Sequence, residues 1–349
     1  VKSQNAYLEQ SKAALGPNLF LNANQNTSSS YSYLNSGNEA GWNRDSPSSL
    51  NLSLSSSITL YNGAKLKNTI SQNKTNLAAA ESGIQTEKDW ISLNILSAYI
   101  NVLLAKENVQ NSKVQLQSIE KQLEYAEARQ TAGIISRGDY LNIKSQYATQ
   151  KASLVSVQSN LRISRVSLMQ LMNMPVSEEF DIADPDLQAL LNQTMPTDAE
   201  TIFNSAVASR PEIKSAELEL TSAQIGINIA KAAALPNLTL NGSLASGYNN
   251  SLTAVNFSNQ MSNQITPSVG LFLSVPIYQR KQAKTQVEQA TIQADNFEYN
   301  LIDTKNNLRK AIEQACTDAR TAQMTFAASQ EQYEAEEESY RLAEEMFAQ

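Results

Sequence analysis

Lys231-Ala232-Ala233-Ala234-Leu235-Pro236-Asn237-Leu238-Thr239-Leu240-Asn241 returns, with few changes, as Lys12-Ala13-Ala14-Leu15-Gly16-Pro17-Asn18-Leu19-Phe20-Leu21-Asn22. An alanine-rich segment runs into a proline and then into alternating apolar and polar residues, the pattern of a helix-to-strand junction. Its recurrence at an offset of 219 residues marks an internal duplication. Leu60-Tyr61 and Ile277-Tyr278 form a second matched pair, 217 residues apart. That second offset persists downstream, where Ala98, Ala105, Ser112, Ala126 and Glu127 fall on Ala315, Ala322, Ser329, Ala343 and Glu344. The repeated unit reads as helix, two strands, long helix, return helix.

The two strand windows avoid charge. The chain has 27 Lys and Arg and 34 Asp and Glu, yet residues 13–63 hold only Glu39, Arg44 and Asp45, and residues 232–279 hold none. Leu50, Leu52, Leu54, Ile58 and Leu60 alternate with Asn51, Ser53, Ser55, Ser57 and Thr59, and Leu271, Leu273, Val275 and Ile277 repeat the pattern. Each window has room for two strands joined by a polar loop, Asn35–Ser49 in the first and Tyr248–Gln264 in the second. A soluble sheet usually places Lys and Glu on its open face and edges. A membrane barrel instead has an apolar outside, a polar inside and aromatic residues at the interfaces. Taken alone, the windows fit a Ser/Thr-rich soluble β-domain or an Asn/Ser linker equally well, and the repeat favours the barrel. On that reading Phe20, Tyr61 and Tyr278 are membrane-interface aromatics, with Tyr31, Tyr33 and Trp42 as further candidates.

Between the windows the chain is helical. Residues 64–132 contain one Gly and no Pro, and residues 277–349 contain neither. At about 1.5 Å per residue, the first of these makes a helix about 100 Å long, far beyond a globular helix of about 12 residues. Ile95, Val102, Val109, Leu116 and Leu123 recur every seven residues, with Ala98, Ala105, Ser112, Ile119 and Ala126 three residues after each, which is a supercoiled seam. Tyr140, Tyr147, Leu154, Leu161 and Leu168 begin a second seam after a Gly-bracketed turn, so an antiparallel hairpin is expected. Its tip is Gly133-Ile134-Ile135-Ser136-Arg137-Gly138-Asp139, with Asp139 as N-cap of the return helix and Arg137 as a solvated cation. The expected organisation is a helix at 1–12, a β-hairpin at 13–63, a long helix at 64–132, the tip at 133–138 and a return helix at 139–174. A middle segment at 176–210 follows, then a helix at 211–235, a β-hairpin at 236–278 and a second long helix at 279–349. The acidic run Glu178, Glu179, Asp181, Asp184 and Asp186 reads as solvated surface.

Composition removes several chemistries. The chain of 349 residues has no His and one Cys, which excludes Ser-His-Asp and Cys-His nucleophiles, His metal sites and an intramolecular disulfide. Cys316 reads as a buried structural thiol. A net charge of −7 argues against nucleic acid as a partner. No cofactor or metal constellation is present, and no enzymatic activity is expected. The chain lacks an initial Met and a signal peptide, and the repeat offset puts the counterpart of Gly133 at position 350, so both ends are expected to be trimmed.

The order of these motifs resembles the outer membrane efflux protein family, the TolC-like channels. The resemblance rests on Leu235-Pro236-Asn237-Leu238 and its copy, Arg210-Pro211-Glu212-Ile213, the tip Gly133 to Asp139, and Tyr278-Gln279-Arg280 with its copy Tyr61-Asn62-Gly63. Arg280 departs from the glycine often found there. The resemblance implies an α+β membrane protein. Each chain would give four strands to a homotrimeric 12-stranded β-barrel in outer-membrane lipid, and its antiparallel coiled-coil helices would form a periplasmic tunnel. Four strands cannot close a barrel, which needs at least about eight. The implied role is the passive exit duct of a tripartite efflux pump or type I secretion system. A periplasmic adaptor would dock at residues 133–139, where Asp139 would help keep the tip closed, and an inner-membrane pump of the RND or ABC type would supply energy. A soluble coiled-coil component of a phage or secretion apparatus is the alternative.

Overall fold

A computed structural model describes residues 1–36, 39–185, 198–251 and 255–347. The elements in chain order are α1 (Lys2–Ala13), β1 (Phe20–Thr27), β2 (Ser30–Ser36), β3 (Glu39–Asp45), β4 (Ser48–Tyr61), α2 (Lys65–Thr131) and α3 (Arg137–Leu171). They continue with α4 (Ala199–Ser209), α5 (Pro211–Lys231), a 3-10 turn (Ala232–Ala234), β5 (Asn237–Asn249), α6 (Phe257–Asn263), β6 (Thr266–Ser274) and α7 (Gln282–Phe347). The chain divides into two compact units, Val1–Gly83 with Asp198–Gln349, and Ile84–Thr197.

In the first unit the two copies share one sheet. Its strand order is β1-β4-β5-β6 and every neighbour is antiparallel. Partners directly opposite share a face, so register sorts the side chains. Leu21, Leu54 and Leu244 align across three strands, and Ile58, Leu240 and Leu271 do the same. The opposite face carries Asn24 with Asn51, and Ser55 with Ser243 and Ser268. The Ser243 and Ser268 hydroxyls hydrogen-bond at 2.7 Å.

Both connecting segments are more ordered than polar loops. The first holds a separate β2–β3 hairpin, pinned by an edge-on contact of Tyr33 and Trp42 at 5.5 Å between ring centroids. The second contains α6, capped by the Asn256 side chain, which accepts from the Asn259 N–H. Gln260 on α6 is buried, accepting from the Asn249 N–H at 2.9 Å and donating to the carbonyls of Asn249 and Val255. That amide ties the segment to the end of β5.

Each strand-to-helix junction is a tight turn with two left-handed residues. Gly63 and Ala64 have φ of 64° and 62°, and Arg280 and Lys281 have 48° and 66°. Hydrogen bonds from Lys65 N–H to Asn62 O (3.2 Å) and from Gln282 N–H to Gln279 O (2.9 Å) close the two turns. The geometry is kept in both copies although Arg280 stands where the first copy has glycine, a conformation that costs an L-residue about 1–2 kcal/mol.

Helix α5 packs closely on α2 through small polar residues. The buried Ser222 donates to Asn76 Oδ1 at 2.5 Å, and its carbonyl accepts from Gln72 Nε2 at 3.1 Å. Ser215 donates to the Ala79 carbonyl at 3.3 Å. On the other side, Lys305 of α7 pairs with Glu217 at 3.4 Å, and Arg309 pairs with Glu200 of α4 while stacking over Phe203.

The second unit is a helical hairpin of residues 84–131 of α2 with α3. Val102, Val109, Ser112 and Ala126 of the expected seam are buried, as is Leu168 from the return seam. Gln150 of α3 donates to Ser112 Oγ and Gln115 Oε1 at 3.3 and 3.0 Å. Tyr125 shares a groove with Asp139, and Tyr99 another with Leu168, so the helices are antiparallel. Helix α3 ends in a Schellman motif: Asn173 (φ 55°) donates to Gln170 O and Met174 N–H to Met169 O.

Candidate functional site

The hairpin tip is shaped by two caps. Helix α2 closes with a Schellman motif in which Gly133 (φ 73°) donates to Gln130 O at 3.0 Å and Ile134 N–H to Arg129 O at 2.8 Å. The return helix then begins at Arg137, not at Asp139. Ser136 is the N-cap, and its hydroxyl accepts from the Asp139 N–H at 3.1 Å. Asp139 sits at the third helical position, where its carboxylate accepts from the Ser136 N–H and hydroxyl at 3.3 and 2.7 Å. The expectation that Asp139 is the N-cap is therefore corrected: it is the second half of a capping box. Ile134, Arg137 and Gly138 are exposed, and Ile135 is half-buried. Ile135 and Asp139 join Tyr125, Ala126, Arg129 and Ile143 around a groove of about 480 Å³. The tip thus presents an apolar hollow edged by the Asp139 carboxylate and by two cations, Arg129 and Lys121.

The middle segment is fixed to the hairpin by the acidic run. Asp181 pairs with Arg165 at 2.9 Å, Asp184 with Lys106 at 2.7 Å, and Glu178 with Arg162 at 2.7 Å. The Tyr99 hydroxyl donates to the Ala183 carbonyl at 2.8 Å, and Phe180 and Ile182 face Ile95, Leu96, Leu168 and Met172 across an apolar groove. The carboxylates of Glu178, Asp181 and Asp184 remain exposed, so the run is solvated surface as expected and is paired as well. Asp186 lies outside the described residues. The Ile182 N–H, with Arg165 and Lys106 beside it, holds the Asp181 carboxyl below its ordinary range. A depressed carboxyl contributes stability above its unfolded pKa and loses it as pH falls through the folded one. Residues 177–185 are thus expected to stay protected from hydrogen exchange at pH 7 and to lose protection below about pH 4. In Asp181→Asn that loss is already present at pH 7.

Register sorts the three aromatic candidates differently from the sequence. Tyr61 pairs with Leu238 beyond a bulge, on the apolar face. Tyr278 follows β6 and is 83% exposed. Phe20 stands opposite Ser55, on the Ser/Asn face, so the interface assignment of Phe20 is corrected. The alternation in β1 is too weak to reveal this without its partner. Phe272, opposite Thr239, lies on the same polar face, and the two rings border a hollow of about 560 Å³ with Ser55, Ser243 and Ser268.

Among the described residues no cluster of His, Cys, Asp or Glu is arranged to hold a metal ion, and no helix is long and apolar enough to cross a membrane. Cys316 is half-buried.

A family model described as outer membrane efflux protein matches residues 1–174 and 202–349. The chain is 26% identical over 313 residues to the outer membrane protein TolC of Escherichia coli K12, covering 87% of this chain and 59% of that protein. It is 20% identical over 272 residues to the outer membrane efflux protein BepC of Brucella suis, covering 78% of this chain and 57% of the relative. The chain therefore spans less than two thirds of these relatives. Among solved structures, the open state of the Neisseria gonorrhoeae MtrE outer membrane channel superposes with a TM-score of 0.74 at 19% identity, covering 98% of this chain and 73% of that one. The outer membrane protein VceC from Vibrio cholerae gives 0.68 at 19% identity, over 91% and 73% of the two chains.

Proposed function

Because the chain belongs to the outer membrane efflux protein family, we propose that it is one protomer of a homotrimeric outer-membrane exit duct that passes substrates by diffusion, with no bond made or broken. The sheet carries the reading. It has four antiparallel strands, a face dominated by Leu, Ile and Val, an opposite face rich in Ser, Thr and Asn, and two free edges. A sheet with free edges is excluded from lipid because every backbone donor and acceptor there must be satisfied. Three chains edge to edge close 12 strands, with the apolar face to lipid and the hydroxyl-rich face to the lumen. Uncharged hydroxyl and amide groups attract neither cations nor anions strongly, which suits varied cargo. The long helices form the periplasmic tunnel, delivering substrate from an inner-membrane pump of the RND or ABC type.

The tip at 133–139 is the proposed docking and gating site for a periplasmic adaptor. The exposed Ile134 and the groove bordered by Ile135, Tyr125 and Ile143 support it, since an apolar hollow with a charged rim suits a partner helix hairpin. Asp139→Ala removes half of the capping box, at a cost of about 1 kcal/mol to the start of α3, and with it the negative charge at the groove rim. Raised conductance in planar bilayers and weaker export in cells are expected, and unchanged values for both would refute the gating role. The whole reading is tested by extraction. A detergent-dependent trimer that conducts ions supports it, and a chain that stays monomeric in plain buffer overturns it.

A further inference from the structure

The contact between the two copies inside the chain is a template for the contact between chains. At the internal seam, β4 of the first copy pairs with β5 of the second, with Ile58 opposite Leu240 and Leu54 opposite Leu244. Below the strands, Gly63 lies against Leu235 so closely that a Cβ there would stand 2.7 Å from Leu235 Cδ1 and 2.8 Å from its Cβ. Lower still, Gln72 and Asn76 of α2 hydrogen-bond Ser222 of α5.

The repeat offsets move every member of this seam to an outer edge of the chain. Adding 217 carries β4 and the start of α2 onto β6 and the start of α7, and subtracting 219 carries β5 and α5 onto β1 and α1. Ile58 and Leu240 become Val275 and Leu21, and Ser56 and Gly242 become Leu273 and Ala23. Gln72 and Ser222 become Gln289 and Ser3, the same residue types. At the internal seam Ser222 is buried and Ile58, Leu240, Gln72 and Asn76 are half-buried, whereas β1, β6, Ser3 and Gln289 are exposed throughout.

The junction residues are inverted in size. Where the internal seam sets Gly63 against Leu235, the transposed seam sets Arg280 against Gly16. Among the described residues nothing within the chain calls for glycine at position 16. Its backbone is not left-handed, and an added Cβ would meet only the Ala13 carbonyl at 3.4 Å. Arg280 in turn keeps a left-handed backbone at which glycine costs less.

We infer that Gly16 is the receptor for the Arg280 turn of a second copy of this chain, and that this large-on-small inversion fits β6 of one chain to β1 of the next. β6 of one chain pairs with β1 of the next, Val275 opposite Leu21 and Leu273 opposite Ala23, while Gln289 takes the Ser3 carbonyl. Second copy to first copy is a head-to-tail contact, so it propagates around the ring until it closes.

This rests on the trimer reading, and the test separates the two. Protein purified in detergent is sized by light scattering. Wild type is expected as trimer. Gly16→Leu is expected to lose at least tenfold of its trimer while keeping its helical circular dichroism, and Gly16→Leu with Arg280→Gly, which makes both seams alike in size, is expected to recover it. With Cys316→Ser, a short bis-maleimide is expected to join chains carrying Ala23→Cys and Leu273→Cys, and to join Ala23→Cys with Val269→Cys at least tenfold less. A Gly16→Leu protein as trimeric as wild type, or a double variant that recovers nothing, overturns the inference while the trimer stands. A wild type that never assembles overturns both.

Discussion

Leu54→Arg is expected to abolish assembly in the outer membrane, and Ser55→Arg, one residue along the same strand, to assemble normally and shift the channel toward anions. The two side chains leave opposite faces of β4. Leu54 lies between Leu21 and Leu244, in the middle of the apolar face. A guanidinium at mid-membrane on that face costs about 2–4 kcal/mol, and a trimer carries it once per chain. Ser55 lies between Phe20 and Ser243 on the polar face, bordering the Ser-rich hollow. There the charge stays in water, and three guanidiniums ring one lumen that otherwise has little charge, favouring anions. The measurements are the yield of heat-resistant trimer in membrane extracts and the reversal potential across a salt gradient. If the two variants behave alike, the assignment of faces is wrong.

What the sequence made legible is what repeats locally. The Leu50–Leu60 alternation, the heptads from Ile95 to Ala126 and the two copies of the Pro-Asn-Leu junction are short-range signals, and the elements follow them closely. What it hid depends on partners. Ser136 and Asp139 are both good caps, and only the left-handed Gly133 and the reach of the Asp139 carboxylate back to Ser136 decide which begins the helix. The acidic run finds Arg162 and Arg165 on the preceding helix and Lys106 on α2, pairings that no local pattern encodes. Phe20 passes for an interface aromatic until register sets it opposite Ser55. Tyr33 and Trp42 appear as isolated aromatics in a polar loop until the β2–β3 pairing brings their rings together. The repeat is the exception, a long-range signal written openly in the sequence. It matches Tyr61-Asn62-Gly63 with Tyr278-Gln279-Arg280 although the last residues differ, and both segments lead into left-handed turns.

Those two turns lead to the other large effect. Gly63→Val is expected to destabilise the chain by about 2–5 kcal/mol, from two sources that separate experimentally. A branched residue at φ 64° is strained by about 1–2 kcal/mol, and the new side chain drives into Leu235, an overpacking cost of about 1–3 kcal/mol. Adding Leu235→Gly removes both the Cδ1 and the Cβ that a side chain at 63 would meet and leaves the left-handed strain, so the double variant is expected to recover part of the lost denaturation midpoint and never all of it. Full recovery would mean the left-handed backbone costs nothing, and no recovery would mean Leu235 is not the obstacle. Arg280→Gly runs the other way. It relieves a left-handed arginine that has no Leu235 against it, so the isolated chain gains about 1 kcal/mol. It also empties the Gly16 hollow of the neighbouring chain, so the same substitution weakens the trimer. A denaturation midpoint that rises while trimer dissociation accelerates is the signature of a residue strained within its own chain and fitted to the next.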